Sequence, residues 1–399
     1  MFDHVIIGKG AAALGVLYGL KSADELQNTV IIDSTESKIE VTNTTNGKVK
    51  IGQIGNGGNS QLWHGVISFY NIIKHIEYRS VFNMFLKRFY HLNNQKIESG
   101  YSFIPFRPLR PKKIIEKEYG YIQTINKEVT SFVIGKNNVV LFASGEEIRA
   151  KKLWLCTGTT GTFDLLNNSG YITNEKTFFS DHLVGYFGQI QKKDIPKTFS
   201  LKPLYSVKGH FKKFHKILLT EDKSLYVNLR PALFKFKNID VANKSRDFFA
   251  DSSKSIIKKL IFKFNLALVF EALYNKFGIH FHSKLYNIVG HIEVQNSVYY
   301  SKSKKEIFHL IDKIEFSEQD QAIIQNYFNN CLTIKNEIFL SPGIHFMNAQ
   351  FSFDNIDTDL IATKRDSPVI ICSSLCLNII SPEHPTFSLL SLSFLKSKK

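Results

Sequence analysis

Val5-Ile6-Ile7-Gly8-Lys9-Gly10-Ala11-Ala12-Ala13-Leu14 is the stretch on which the reading of the fold turns. Three consecutive β-branched residues make a short buried strand. They run directly into Gly-x-Gly-x-x-Ala and then into good helix formers. Each small residue has a separate task. Gly8 makes a tight turn, Gly10 lets backbone amides reach a pyrophosphate, and Ala13 lets the helix lie close to the strand. The helix start adds partial positive charge. A second apolar strand, Thr29-Val30-Ile31-Ile32, ends in Asp33, where a carboxylate can accept hydrogen bonds from ribose hydroxyls. These residues predict a strand–helix–strand unit that binds a dinucleotide.

Working outward, residues 43–65 are rich in Gly, Asn and Thr and read as a loop requiring close backbone approach. Residues 66–92 have a helical pattern. Residues 118–152 predict a β-meander, with strands near 121–125, 129–134, 139–143 and 147–150 and turn signals at Lys136-Asn137-Asn138 and Ser144-Gly145. A further buried strand over 153–156 leads into Thr157-Gly158. The segments 186–190, 214–220, 224–229 and 278–298 read as strands, and 317–331 as a helix. The chain closes with a strand over 368–371 and a helix over 386–397, apolar nearly all round and so expected to be buried. A strand–helix–strand unit that later receives a meander ending in Thr157-Gly158 looks like the two-dinucleotide-fold flavoproteins. That favours FAD over NAD.

The chain's 399 residues suggest more than one structural unit. Hydrophobic residues at 43% and aromatics at 13% exclude a disordered chain. Four cysteines without a C-x-x-C pair exclude a disulfide framework and fit a reducing compartment. Cys372 and Cys376 lack neighbouring histidines, and the pair His280 and His282 lacks a third ligand, so no metal is expected. The N-terminus leads straight into a strand, unlike a secretory signal. No run approaches the roughly 18 apolar residues of a membrane span. The expected location is cytoplasmic, with a peripheral position on the inner membrane face as the alternative.

The formal charge of +16 comes from 51 Lys and Arg against 35 Asp and Glu. No nucleic-acid-binding signature accompanies it, so nucleic acid is not an expected partner. The basic helix 255–277 admits two readings: peripheral contact with a membrane surface, or domain packing with a basic outer face.

Four segments together resemble the glucose–methanol–choline (GMC) oxidoreductases. Leu153–Gly170 (LWLCTGTTGTFDLLNNSG) is similar to that family's strand and Gly-Thr turn. Gly55–Gly65 (GNGGNSQLWHG) is similar to its Gly-Gly-x-Ser loop beside the isoalloxazine. Ser180-Asp181-His182-Leu183 resembles its Asp-His segment, and 368–396 its closing strand, loop and helix. The resemblance implies an α/β fold: a Rossmann-like FAD-binding domain of the two-dinucleotide-fold type with a β-meander, and a mixed α+β substrate domain. The implied FAD domain comprises 1–70, 115–184 and 336–399, and the substrate domain 71–114 and 185–335. Implied cofactor residues are Gly8, Gly10, Ala13, Asp33, Gly57, Gly58, Asn59, Ser60, His64, Thr157, Gly158, Ser373, Pro385 and Thr386. Leu62 stands where some members attach flavin through a His, which implies non-covalent FAD. Ser373 stands where the closing strand usually carries Asp.

The implied reaction is oxidation of a CH–OH group of an alcohol or sugar, with His345 as base, paired with His384, and hydride transfer to flavin. Imidazole suits the task because its ordinary pKa is about 6.5. The electron acceptor is not readable from the sequence. Two alternatives stay open: a same-fold flavoenzyme acting on a lipid or isoprenoid, and a catalytically inert flavin-binding protein.

Overall fold

The computed structural model describes residues 1–36, 38–44, 47–55, 58, 66–69, 76–92, 100–201, 203–220, 223–232, 273–274, 276–279, 283–311, 313–334, 338–339, 341–342, 346–361, 367–377 and 386–398. The elements that position the site are, in chain order, β1 (Phe2–Ile7), α1 (Ala11–Ser22), β2 (Thr29–Ile32), α2 (Ile76–Tyr90), β3 (Gln123–Ile125), β4 (Glu146–Leu155) and α3 (Gly158–Asn168). They continue with β5 (Lys176–Gln191), β6 (Ser224–Ala232), β7 (Leu285–Ser301), α4 (Glu318–Tyr327), β8 (Ile356–Asp357), β9 (Val369–Ile371) and α5 (Thr386–Lys398).

The first sheet has the order β8-β9-β4-β1-β2-β3, and every neighbouring pair is parallel. Its strands are short apolar runs because both faces are covered. Ile6, Ile31, Trp154 and Ile370 face one core, shared with α1, α2 and α5. Val5, Ile7, Val30, Ile32, Leu153, Leu155, Val369 and Ile371 face the other, shared with the meander and α3. This is the α/β, Rossmann-like architecture that the glycines predict. The meander differs in detail. It consists of Val129–Ile134, Val139–Ala143 and the first part of β4. Residues 123–125 are instead the parallel edge strand. The strands expected at 147–150 and 153–156 are one continuous strand, which leaves the meander and becomes central in the sheet.

Two helices at opposite ends of the chain meet on the first face. Gly15 and Gly19 of α1 lie against α5 so closely that side chains there have no room. A Cβ on Gly15 would stand 2.9 Å from Ser393 Cβ, and one on Gly19 would stand 2.5 Å from the Phe394 carbonyl oxygen. Ser397 Oγ donates across the crossing to the Val16 carbonyl at 3.1 Å. The contacts run Gly15 to Leu390 and Ser393, then Gly19 to Phe394 and Ser397, so the two helices are parallel. Helix α2 packs edge-on against α5 through Phe82–Phe387 and Phe85–Phe394, at ring distances of 5.0 and 5.6 Å. Its apolar face therefore belongs to the first core.

The second sheet is built on the long antiparallel ribbon β5–β7, with β6 beside β7. Leu183, Leu225, Val227, Ile288 and Ile292 point to a core closed by α4, whose Ser317 cap accepts from the Asp320 N–H at 3.0 Å. The stretch 43–65, expected as loop, is partly strand. Lys38–Thr44 and Gly47–Ile54 form a hairpin that joins this sheet through Glu306–His309. Residues 346–350 tie the sheets together. Met347 and Ser180 exchange backbone hydrogen bonds of 2.8 and 3.0 Å, and the amides of Asn348 and Ala349 donate to Leu377 and Leu375. Among the described residues, no helix is long and apolar enough to cross a membrane.

One buried ion pair fastens α5 to the sheet edge. Lys396 Nζ lies 2.6 Å from Asp357 Oδ2, with the side chains 4% and 0% exposed, and it donates to the Asp359 carbonyl. Removing one partner strands the other charge in a dry site. Lys396→Met should therefore cost about 3–5 kcal/mol in urea unfolding. Lys396→Met combined with Asp357→Leu should recover most of that loss, since no charge is then left buried.

Candidate functional site

Parallel strands bring the turns that follow them to one edge of the sheet. Here the ladder continues one residue past each strand. The amides of Gly8, Asp33, Cys156 and Cys372 donate to the carbonyls of Ile32, Ile125, Ile7 and Leu155 at 2.8–3.1 Å. Gly8, Asp33, Thr157, Gly158 and Ser373, far apart in sequence, thus come together at one carboxyl edge.

Gly8 has φ +101°, and a Cβ there would lie 2.6 Å from the Cys156 carbonyl oxygen. Only glycine fits that turn. Gly10 caps α1 in extended conformation with no side-chain cap bond, so the first amides of α1 keep their donors. Ala13 is fully buried between helix and sheet. At the next turn Thr157 precedes α3, again without a side-chain cap, and Gly158 has φ +72° with open space where a Cβ would stand. Thr162 Oγ1 donates to the Gly158 carbonyl at 2.5 Å and contacts Thr157 Oγ1 at 3.0 Å. Ser373, fully buried, donates to the same carbonyl at 3.4 Å, tying the last turn to Gly158.

Because α5 runs parallel to α1, its first residue, Thr386, lies at this same edge. Three helix N-termini therefore converge there: α1, α3 and α5. None has an acidic residue in its first turn. No acidic side chain within those first turns offsets their partial positive charges. The edge combines helix amides, glycine turns a side chain would fill, and Asp33 at the end of β2. It fits a dinucleotide, whose pyrophosphate is anionic and whose ribose hydroxyls donate.

Cys156 and Cys372 lie side by side behind the edge, both buried as free thiols. Burial, then the neighbouring Cys372, pushes the Cys156 thiol well above its ordinary range, so it is a packing group rather than a nucleophile. Gly58 sits in a left-handed turn, its amide donating to the Gly55 carbonyl at 2.8 Å. Gly57, Asn59, Ser60, His64, His345, His384 and Pro385 lie outside the described residues, as do His280, His282 and most of 255–277.

The Asp181-His182 segment lies within β5, where the register sets His182 opposite Glu293. Sequence reading passed over Glu293, a carboxylate inside an apolar run, Ile292-Glu293-Val294.

No protein-family model matches the chain, and no curated sequence matches it. Solved structures similar to it include the halogenase PltM, also in complex with phloroglucinol and FAD, at 12% identity and TM-scores of 0.34 and 0.35. Both comparisons cover 99% of this chain and 67% of the halogenase. The Diels-Alderase PyrE3 is 10% identical with a TM-score of 0.34, covering 96% of this chain and 61% of the other. A variant of the amino acid oxidase NikD is 10% identical with a TM-score of 0.28, covering 49% and 59%. The chain thus spans about three fifths to two thirds of these proteins' length. A likeness this low assigns it neither reaction nor substrate.

The two glycines make a paired test. Gly158→Ala should cost only the left-handed backbone, about 1–2 kcal/mol. Gly8→Ala carries the same penalty plus the collision with the Cys156 carbonyl, and its melting temperature should fall further than that of Gly158→Ala.

Proposed function

We propose that the chain is a flavin-dependent oxidoreductase that holds FAD non-covalently at this edge and oxidises a CH–OH group of an alcohol or sugar. The observation that supports the reading is the convergence of three helix N-termini, free of acidic first-turn residues, on a row of turns ending in Gly8, Asp33, Gly158 and Ser373. Bound there, FAD supplies a two-electron hydride acceptor.

The chain supplies the rest. The α1 amides beyond Gly10 hold the pyrophosphate, and Asp33 accepts from the adenosine ribose. Thr157-Gly158 gives the open backbone against which the cofactor lies. The starts of α3 and α5 favour the negative charge that reduction adds. His345, paired with His384, takes the hydroxyl proton at an imidazole nitrogen. The segment that carries His345 is anchored on both sides: Pro342 pairs with Leu183, and Met347 with Ser180. On this reading the cofactor would lie within 1–70, 115–184 and 336–399. The substrate would lie against 185–335, and the electron acceptor is a separate partner.

Acid precipitation of the purified protein should release flavin into solution; colour retained in the pellet would mean a covalent bond. His345→Ala should keep the oxidised flavin spectrum. Anaerobic reduction by an alcohol substrate should slow by about 10²–10⁴-fold, the usual size of a general-base contribution.

A further inference from the structure

Four strands make a third sheet, in the order Leu204–Ser206, Gly209–Lys213, Tyr101–Pro105 and Ile67–Ser68, antiparallel throughout. Sequence reading passed over its outer hairpin. The register pairs Ser206 with Gly209, so the turn is the two residues Val207-Lys208. Hairpin turns of this length favour Gly, Asn or Asp. This one carries a branched apolar residue, and Val207 is 93% exposed.

Apolar side chains flank that tip on both faces of the hairpin. Directly opposed residues share a face. Leu204 lies with Phe211 and Phe103, and Tyr205 with His210 and Ile104. Leu204 and Tyr205 are each more than half exposed. The Tyr205 hydroxyl donates to the Gly278 carbonyl at 2.5 Å, which brings Phe277 and Ile279 to the same side. Both are nearly half exposed. The Phe277 ring lies 6.4 Å from that of Phe106, whose amide donates to the Lys208 carbonyl at 2.9 Å. Single exposed apolar residues are ordinary on a protein surface; five grouped around one protruding turn mark a contact site.

Cations stand behind the tip. Arg107 is exposed beside Phe106. Lys276 Nζ donates to the Pro105 carbonyl at 3.1 Å. Lys208 Nζ reaches the Phe89 carbonyl at 3.4 Å, at the end of α2 that carries Lys87. The three stretches that build the region contain no Asp or Glu: 99–115 has two Arg and two Lys, 195–220 has six Lys, and 272–292 has two Lys.

We propose that this hairpin end is a docking surface for an anionic lipid bilayer. Val207 and Leu204 enter the boundary between headgroups and acyl chains, and the cations behind them meet the negative headgroups. Tyr205 suits the headgroup level, with an apolar ring and a hydroxyl already bonded within the protein. An apolar point backed by positive charge matches a deformable, negatively charged surface. The hairpin supplies the inserting residues; of the basic stretch 255–277, Phe277 takes part. The contact requires no flavin, so it stands or falls apart from the function proposed above.

Co-sedimentation of the full chain with vesicles tests the surface. The wild type should bind vesicles of phosphatidylcholine mixed with phosphatidylserine, and bind phosphatidylcholine alone much more weakly. Val207→Asp should lower partitioning into the mixed vesicles about tenfold or more. Its melting temperature should stay unchanged, because the side chain it replaces is exposed. Arg107→Gln should lower partitioning about fivefold. Val207→Trp should gain fluorescence that brominated lipid quenches, beyond the quenching seen in the wild type. A wild type that ignores the mixed vesicles overturns the proposal. Equal binding by wild type and Val207→Asp, or a bound Val207→Trp whose added fluorescence is not quenched, overturns it too. A wild-type dimer that Val207→Asp turns into a monomer would assign the patch to a second copy of this chain and overturn it as well.

Discussion

The near contact of α1 and α5 is the constraint from which the rest of this structure follows. Backbones approach this closely only where side chains are absent or small, and Gly15, Gly19, Ser393 and Ser397 provide that. The crossing covers one face of the parallel sheet and puts both helix starts at the same end of it. The ion pair between Lys396 and Asp357 then fixes the far end of α5 against the edge strand. Apolar area drives the packing, but the small residues determine its direction, and the direction decides what the carboxyl edge can bind.

A second consequence is electrostatic. Helix starts are spread around most proteins and partly neutralised by acidic residues. Here three starts share one small region, and their first turns carry none. Much of the positive character is built from backbone, so ligand charge is met by groups already in place. Lys9, between Gly8 and Gly10, adds one side-chain charge to the same turn.

Most of this edge was legible in the sequence, because each part obeys a local rule. Gly8, Gly10 and Ala13 sit at fixed offsets after an apolar run, and Asp33 closes the next one. Thr157-Gly158 follows a buried strand, and Thr386 opens an apolar helix. What the sequence hid depends on partners far away. The hairpin over 38–54 carries Lys, Thr and Asn in place of a clean apolar face, and its neighbouring strand is Glu306–His309. The continuity of β4 was masked by Lys151-Lys152, which interrupts the apolar pattern. Lys151 is paired with Asp3 at 2.7 Å, and Lys152 lies over the Trp154 ring. The pairing of His182 with Glu293 exists only in the register of two strands more than a hundred residues apart in the chain.

The α1–α5 crossing also dictates the order in which this chain can be completed. Ser397 reaches back to Val16 across 381 residues. On a ribosome the strand–helix–strand unit emerges well before α5, and the face of α1 that carries Gly15 and Gly19 has no cover until α5 has followed it. Until then its glycine-lined face is open, and contacts this distant form slowly. Everything between α1 and α5 is therefore synthesised before that face of α1 is closed.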